Sequence, residues 1–304
     1  MMEFEEEDEV DCLDESSPQR TLAELARLPN IPSVCTNVVA AWILTGADWG
    51  FRIIPLLLGA SLLYAFGTAL NDVMDAKFDA EKRPERPLPS GHISKRGLWI
   101  FTATCGIGGL VATCWWGGAS VIWTLTLVAT IVAYDAVHKH WSGGCVLMGS
   151  CRWLLYFVGA SSATGDLAFT GPVLLWATVL GCYIIGLTYY AREEADPEAP
   201  PVIRWPLLLL LGPEIAWGIG VILLEHSKAS FFFVLLFLAW RIFAVIEVRQ
   251  SESPDRIGTF VTRLLAGIIL LDAVAVGTVS FWAAIVVLGA FPLTLLLQRE
   301  FEAT

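Results

Sequence analysis

Asn71-Asp72-Val73-Met74-Asp75-Ala76-Lys77-Phe78-Asp79, followed by Ala80-Glu81-Lys82-Arg83-Pro84-Glu85-Arg86-Pro87-Leu88-Pro89-Ser90-Gly91, closes an apolar run that begins near residue 52. About 20 predominantly apolar residues suffice to cross a bilayer as a helix, so these acids stand where a span meets water. Asp72, Asp75 and Asp79 are spaced i, i+3 and i+7, which sets them on one face of a helix. Three converging carboxylates repel one another unless a cation sits between them. Hard oxygen ligands of this kind suit Mg²⁺, which typically keeps waters and bridges to substrate phosphates. Lys82, Arg83 and Arg86 supply cations for the same phosphates. The bland alternative is a solvated helix end of mixed charge, but a face of acids set against a membrane is costly and serves no packing purpose.

The same pattern extends through the chain. Of 304 residues, 56% are hydrophobic and only 16% charged, with mean hydropathy +0.63. A soluble domain carries roughly 25% charged residues, so the composition predicts an all-α, polytopic transmembrane bundle. Candidate spans are 33–50, 52–73, 97–116, 118–137, 144–163, 168–191, 204–224, 229–248, 258–278 and 280–298. Trp115-Trp116-Gly117-Gly118 is the hinge that divides one long uncharged run. The last pair divides less clearly near Gly277–Ser280, so nine or ten spans are expected.

Charge sets the expected orientation. Residues 1–20 hold nine acids and one base, a solvated and disordered tail by composition, ahead of a single membrane domain over 21–304. Leu22, Leu25, Ala26 and Leu28 then recur at helical spacing, as in a short interfacial helix. With a cytoplasmic N-terminus, only Arg52 and Lys228 fall at outer span ends. The charge-rich loops 74–96 and 192–203 then share the cytoplasmic face, in a bacterial cytoplasmic membrane. The leading MMEFEEEDEVDCLDE has neither the basic region nor the apolar core of a secretory signal, so later segments must direct insertion. The net charge of −11 has the wrong sign for nucleic acid. Seven scattered cysteines without a C-x-x-C pair read as small buried hydrophobes.

N-D-x-x-D-x-x-x-D running into R-P-L-P-S-G resembles the first aspartate-rich motif of the UbiA superfamily of intramembrane prenyltransferases. LARLPNIPSVCTN, Leu25 to Asn37, resembles the approach to that family's first span. Tyr134 and Lys139, a Y-x4-K, resemble its tyrosine and diphosphate-contacting lysine, and Gly149 and Arg152 its G-x-x-R. The resemblance covers about residues 20 to 298. It implies transfer of a prenyl group from a prenyl diphosphate to an aromatic or lipid-like acceptor, with Mg²⁺ and cations stabilising the leaving diphosphate. The implied metal and diphosphate residues are Asn71, Asp72, Asp75 and Asp79; Arg83, Arg86, Lys139 and Arg152 are implied phosphate contacts.

The resemblance weakens after the sixth span, where such proteins usually carry a D-x-x-x-D motif. This chain reads Tyr189-Tyr190-Ala191-Arg192-Glu193-Glu194-Ala195-Asp196-Pro197-Glu198, and Pro197 disfavours helix through Asp196. Glu193, Glu194 and Asp196 either bind a metal in a modified site, beside Tyr190 and Arg192, or belong to a non-catalytic ligand-binding or metabolite-export component. A charged loop is the third reading. The R-E-E-x variant resembles the EboC-like branch of the superfamily.

Glu214, Arg241 and Asp272 interrupt late spans and should face the interior, with Arg241 the expected cation for either acid. Asn37 either reaches the cavity or bonds another helix. His138 and His140 are expected only to hydrate their loop. Trp49, Trp99, Trp115, Trp116, Trp141 and Trp205 fit interfacial belts; Trp153, Trp176, Trp217 and Trp240 lie deeper, as packing or as a channel lining.

Overall fold

The structure, a computed structural model, describes residues 17–138, 141, 143–194, 205–223, 230–251 and 256–301. Every regular element among them is helical: α1 (Pro18–Leu25), α2 (Ile31–Leu44), α3 (Ile53–Met74), α4 (Ala76–Lys82), α5 (Lys95–Leu110), α6 (Val121–Val137), α7 (Gly144–Thr164), α8 (Gly171–Glu194), α9 (Gly212–Leu223), α10 (Phe231–Gln250), α11 (Arg256–Gly277), α12 (Phe281–Leu288) and α13 (Ala290–Glu300). The helix begins at Pro18, capped by the Ser17 hydroxyl, so Pro18–Arg20 are not part of a tail. The acids before them lie outside the described residues.

Fewer than nine of the expected spans are full-length helices among the described residues. Among the described residues, seven helices are long and apolar enough to cross a membrane, and Leu28–Leu44, Val121–Val137 and Leu208–Ile219 are shorter apolar helices. Local chemistry explains each shortening. Gly46 turns at φ +72 just after α2, and Gly118, at φ +70, adopts the left-handed conformation before α6. Trp205–Leu211 is a 3₁₀ segment, tighter than α-helix, that delays α9 to Gly212. The Trp115–Gly118 hinge exists, approached through a π-helical turn at Val111–Trp116. The final span breaks at Gly289, between α12 and α13.

Small residues allow the closest helix contacts, since lipid provides no hydrophobic drive between helices. A Cβ on Gly59 would meet Thr113 at 2.6 Å, and one on Gly149 would lie 2.6 Å from the Gly181 carbonyl oxygen. α3 therefore packs on the Val111–Trp116 turn that continues α5, and α7 on α8, backbone to backbone. α7 also packs on α2 and α6, while α11 packs on α10 and returns to α2, bringing the late helices back to the early ones. α11 is the central element, with an unbroken buried stretch from Ala266 to Gly277. Outward faces stay apolar, as with Ile54, Leu58, Ile122, Leu125, Ile242 and Val286. Such faces suit lipid rather than water. Leu25 of α1 is fully buried with Ala69, Val73 and Leu98, and its carbonyl accepts a 2.6 Å bond from the Thr68 hydroxyl, tying α1 to α3.

Candidate functional site

The acidic motif spans the junction of α3 and α4. Asp75 is the junction residue, at φ −90 and ψ 3, and is not helical as the sequence predicted. The helical stagger nevertheless continues across it. Asp75 N–H bonds the Asn71 carbonyl at 2.8 Å, and Asp79 N–H bonds the Asp75 carbonyl at 2.9 Å. Asp72, Asp75 and Asp79 consequently stay on one side and are all buried.

A cation does sit between two of these acids, and it belongs to the chain. Arg86 Nη1 lies 3.2 Å from Asp72 Oδ1 and 3.1 Å from Asp79 Oδ2. The Pro-rich loop makes this possible. Ser90 donates both its N–H, at 3.0 Å, and its hydroxyl, at 2.8 Å, to the Arg86 carbonyl, and Gly91 turns at φ +82. From this turn the Arg86 side chain reaches Asp79 on α4. Arg83 is exposed and makes no ion pair with the aspartates. Arg27, a residue without an assigned role in the sequence reading, approaches Asp72 Oδ1 at 3.5 Å.

α6 closes the other side. Asn71 Nδ2 donates to Asp135 Oδ1 at 3.1 Å, and His138 Nε2 lies 3.6 Å from Asp75 Oδ2. His138 thus belongs to the site rather than to loop hydration, and contact with Asp75 raises its proton affinity above that of an ordinary imidazole. Tyr134 stacks on the His138 ring, with centroids 4.9 Å apart. Asp135 escaped the sequence reading, although a lone acid inside an apolar run is itself a signal.

Among the described residues, no three His, Cys, Asp or Glu side chains close into a ready metal cage. The donor chemistry still fits a hard divalent cation. Asp79 Oδ1 and Asp135 Oδ2 are buried carboxylate oxygens without a hydrogen-bond partner. Arg86 currently supplies positive charge to the same acids.

A second polar cluster lies deeper. Arg152 Nη1 donates to Asn37 Oδ1 at 2.7 Å, its Nη2 donates to Ser33 Oγ at 3.2 Å, and its guanidinium sits 5.4 Å from the Tyr64 ring. Asn37 Nδ2 in turn donates to Asp272 Oδ2 at 2.7 Å. Thr36 Oγ1 and Tyr156 OH each donate to Asp272 at 2.6 Å. Arg241 is therefore not the partner of Asp272; it pairs with Glu214. Asn37 makes a helix–helix bond and lies in this cluster, not with the aspartates. Gly149 is accounted for by its contact with Gly181.

Most of the second acidic segment lies outside the described residues. α8 ends at Glu194, and the side chains of Arg192, Glu193 and Glu194, together with Lys139 and Asp196, lie outside the described residues. Tyr190 packs edge-on against Phe260, centroids 5.0 Å apart. Of the deep tryptophans, Trp176 is fully buried in the core, Trp153 packs on Phe157 and Trp123, and Trp240 Nε1 donates to the Arg263 carbonyl. Packing accounts for these three.

A model of the UbiA prenyltransferase family matches residues 33–265. The digeranylgeranylglyceryl phosphate synthase of Methanopyrus kandleri is 38% identical over 211 residues, covering 67% of this chain and 72% of that one. A 4-hydroxybenzoate octaprenyltransferase from Polaromonas is 26% identical over 167 residues, covering 52% and 56%. In fold, the chain resembles a structure of digeranylgeranylglyceryl phosphate synthase, with TM-score 0.61 and 18% identity over 86% of this chain and 98% of that one. It also resembles a UbiA homologue from Archaeoglobus fulgidus bound to GPP and Mg²⁺, with TM-score 0.55 and 15% identity over 84% and 99%.

Proposed function

The chain belongs to the UbiA prenyltransferase family, and on that premise we propose an integral-membrane prenyltransferase that moves a prenyl group from its diphosphate to an aromatic or lipid-like acceptor. The observation that carries the reading is the buried set Asp72, Asp75 and Asp79, with Arg86 and Arg27 against Asp72, Arg86 against Asp79 and His138 beside Asp75. Buried carboxylates without cations are costly, so this surface suits positive charge from one source or another. The seven long helices together with the three shorter apolar ones among the described residues support a multi-pass membrane protein; nine or ten crossings, with the site opening to the cytoplasm, are part of the same proposal.

In this reading Asp72, Asp75 and Asp79 hold Mg²⁺. When bound, the ion offsets charge on the departing diphosphate. Arg83, Arg86, Lys139 and Arg152 contribute N–H donors to phosphate oxygens, Arg with its planar fork. Asn71, fixed by Asp135, keeps its amide oriented at the head of the site. The apolar bundle excludes water while the allylic carbon–oxygen bond breaks and diphosphate departs with the electron pair. The acceptor then bonds the allylic carbon and loses a proton. A modified second metal site at Glu193, Glu194 and Asp196, and the EboC-like branch, are parts of the same proposal.

The test is prenyl transfer by the full chain in lipid nanodiscs, with Mg²⁺ and C10–C20 prenyl diphosphates, scored by diphosphate release and prenylated product. Activity lost in Asp72→Ala and Asp75→Ala supports the enzyme. Binding of prenyl diphosphate without turnover on any aromatic or glyceryl acceptor supports a ligand-binding or export component instead.

A further inference from the structure

Asp272 sits at the centre of the bundle, fully buried on α11, and three neutral groups donate to it: Thr36 and Asn37 from α2 and Tyr156 from α7. Arg152, one of the substrate-binding candidates, is also buried and makes no ion pair among the described residues. A buried guanidinium without a carboxylate is unusual, because its desolvation is normally offset by an opposite charge. Here the opposite charge stands one side chain away. The Asn37 amide uses its oxygen for Arg152 Nη1 and its nitrogen for Asp272 Oδ2, both at 2.7 Å. This arrangement has two consequences. Asp272 can accept only from the amide nitrogen, which fixes the orientation of Asn37 and presents its oxygen to Arg152. The separation also keeps the guanidinium from being consumed by a bidentate carboxylate. Two of its five N–H groups are used in hydrogen bonds.

We propose that Asp272 is a positioning residue for Arg152, holding the guanidinium through the Asn37 amide while leaving its remaining N–H donors for an anionic group of the substrate. The proposal rests on the prenyltransferase reading, which supplies the anion. A direct Arg152–Asp272 pair would neutralise the guanidinium at contact distance and weaken its attraction for an anionic ligand. The relay balances the charges at a distance and keeps the cation available. Tyr64, whose ring faces the guanidinium, and Ser33 fix the remaining sides.

The experiment compares the full-length wild type with Asp272→Asn, Arg152→Gln and the double variant in nanodiscs. Binding of geranyl S-thiolodiphosphate, a poorly ionising analogue, is followed with Mg²⁺ by intrinsic tryptophan fluorescence, alongside KM and kcat with geranyl diphosphate. Asn at position 272 can turn its own NH₂ toward Asn37 and release that amide, so Asp272→Asn should weaken analogue binding and raise KM about tenfold, the scale of one hydrogen bond to a charged group, with kcat nearly unchanged. In the Arg152→Gln background the further loss should vanish, because both changes remove one interaction. Tyr156→Phe takes a donor from Asp272 without touching Asn37; it should lower thermal stability and leave KM where it was. If Asp272→Asn does not accumulate, Asn37→Ala cuts the same relay and carries the same expectation. Losses that multiply in the double variant, an unaltered KM in Asp272→Asn, or an equal KM rise in Tyr156→Phe each overturn the proposal. Wild-type protein that neither binds the analogue nor turns over geranyl diphosphate overturns the prenyltransferase reading, and the proposal with it. Wild-type binding with an unaltered Asp272→Asn overturns the proposal alone.

Discussion

Arg86→Met keeps the length and apolar stem of the side chain and removes the guanidinium that bridges Asp72 and Asp79. Asp79 would then face no cation among the described residues, and its Oδ1 is already buried without a partner. Removing one member of a buried ion pair costs about 3–5 kcal/mol. Arg27, 3.5 Å from Asp72, offsets part of this, so the lower end of that range, about 3 kcal/mol, is the expected loss in EDTA. A cation bound only by the folded state adds about 2.7 kcal/mol at a hundredfold excess over its Kd. Saturating Mg²⁺ should therefore return the variant almost to its starting stability. The gain should be smaller in the wild type, where Arg86 competes for the same oxygens. Thermal unfolding of the detergent-solubilised protein, with and without Mg²⁺, provides the comparison. The reasoning is refuted if Arg86→Met unfolds with the wild type in EDTA, or if Mg²⁺ stabilises both proteins equally.

Three other substitutions test separate parts of the fold. Gly149→Val places side-chain atoms against the Gly181 carbonyl and Ile185; it should cost about 1–3 kcal/mol, read as a lower unfolding midpoint. Asp135→Ala releases the Asn71 amide and should reduce prenyl transfer about tenfold, the scale of a hydrogen bond to a charged group, in the turnover assay above. Glu214→Gln leaves Arg241 uncompensated and should cost about 3 kcal/mol, whereas replacing both residues by Leu should come within about 1 kcal/mol of wild type. Parallel thermal unfolding of the single and double variants separates those outcomes.

Local chemistry made much of this legible in the sequence. The aspartate spacing survives on one side of the chain even though Asp75 interrupts the helix, because the i→i−4 bonds to Asn71 and Asp75 persist across the break. The Gly117-Gly118 hinge and the end of α11 at Gly277 also stand where glycine chemistry suggested. What escaped the sequence is tertiary. Nothing local to Arg86 says that its guanidinium folds back over 14 residues to Asp72. Arg27 and His138 gain partners only when α1, α3 and α6 meet. Arg241 looked like the cation for Asp272 because both are rare charges in late spans, yet Asp272 is met by Thr36, 236 residues earlier. A helix count by hydropathy likewise cannot foresee that 3₁₀ geometry at Trp205–Leu211 shortens the following helix.

The tie from α11 back to α2 and α7 also sets an order of assembly. Thr36, Asn37 and Arg152 leave the ribosome well before Asp272. At translation rates of about 5–20 residues per second, the roughly 120 residues between Arg152 and Asp272 take on the order of ten seconds. During that interval the early helices hold a cation whose counter-charge has not been made. Completion of the late helices therefore seals the polar centre of the early ones.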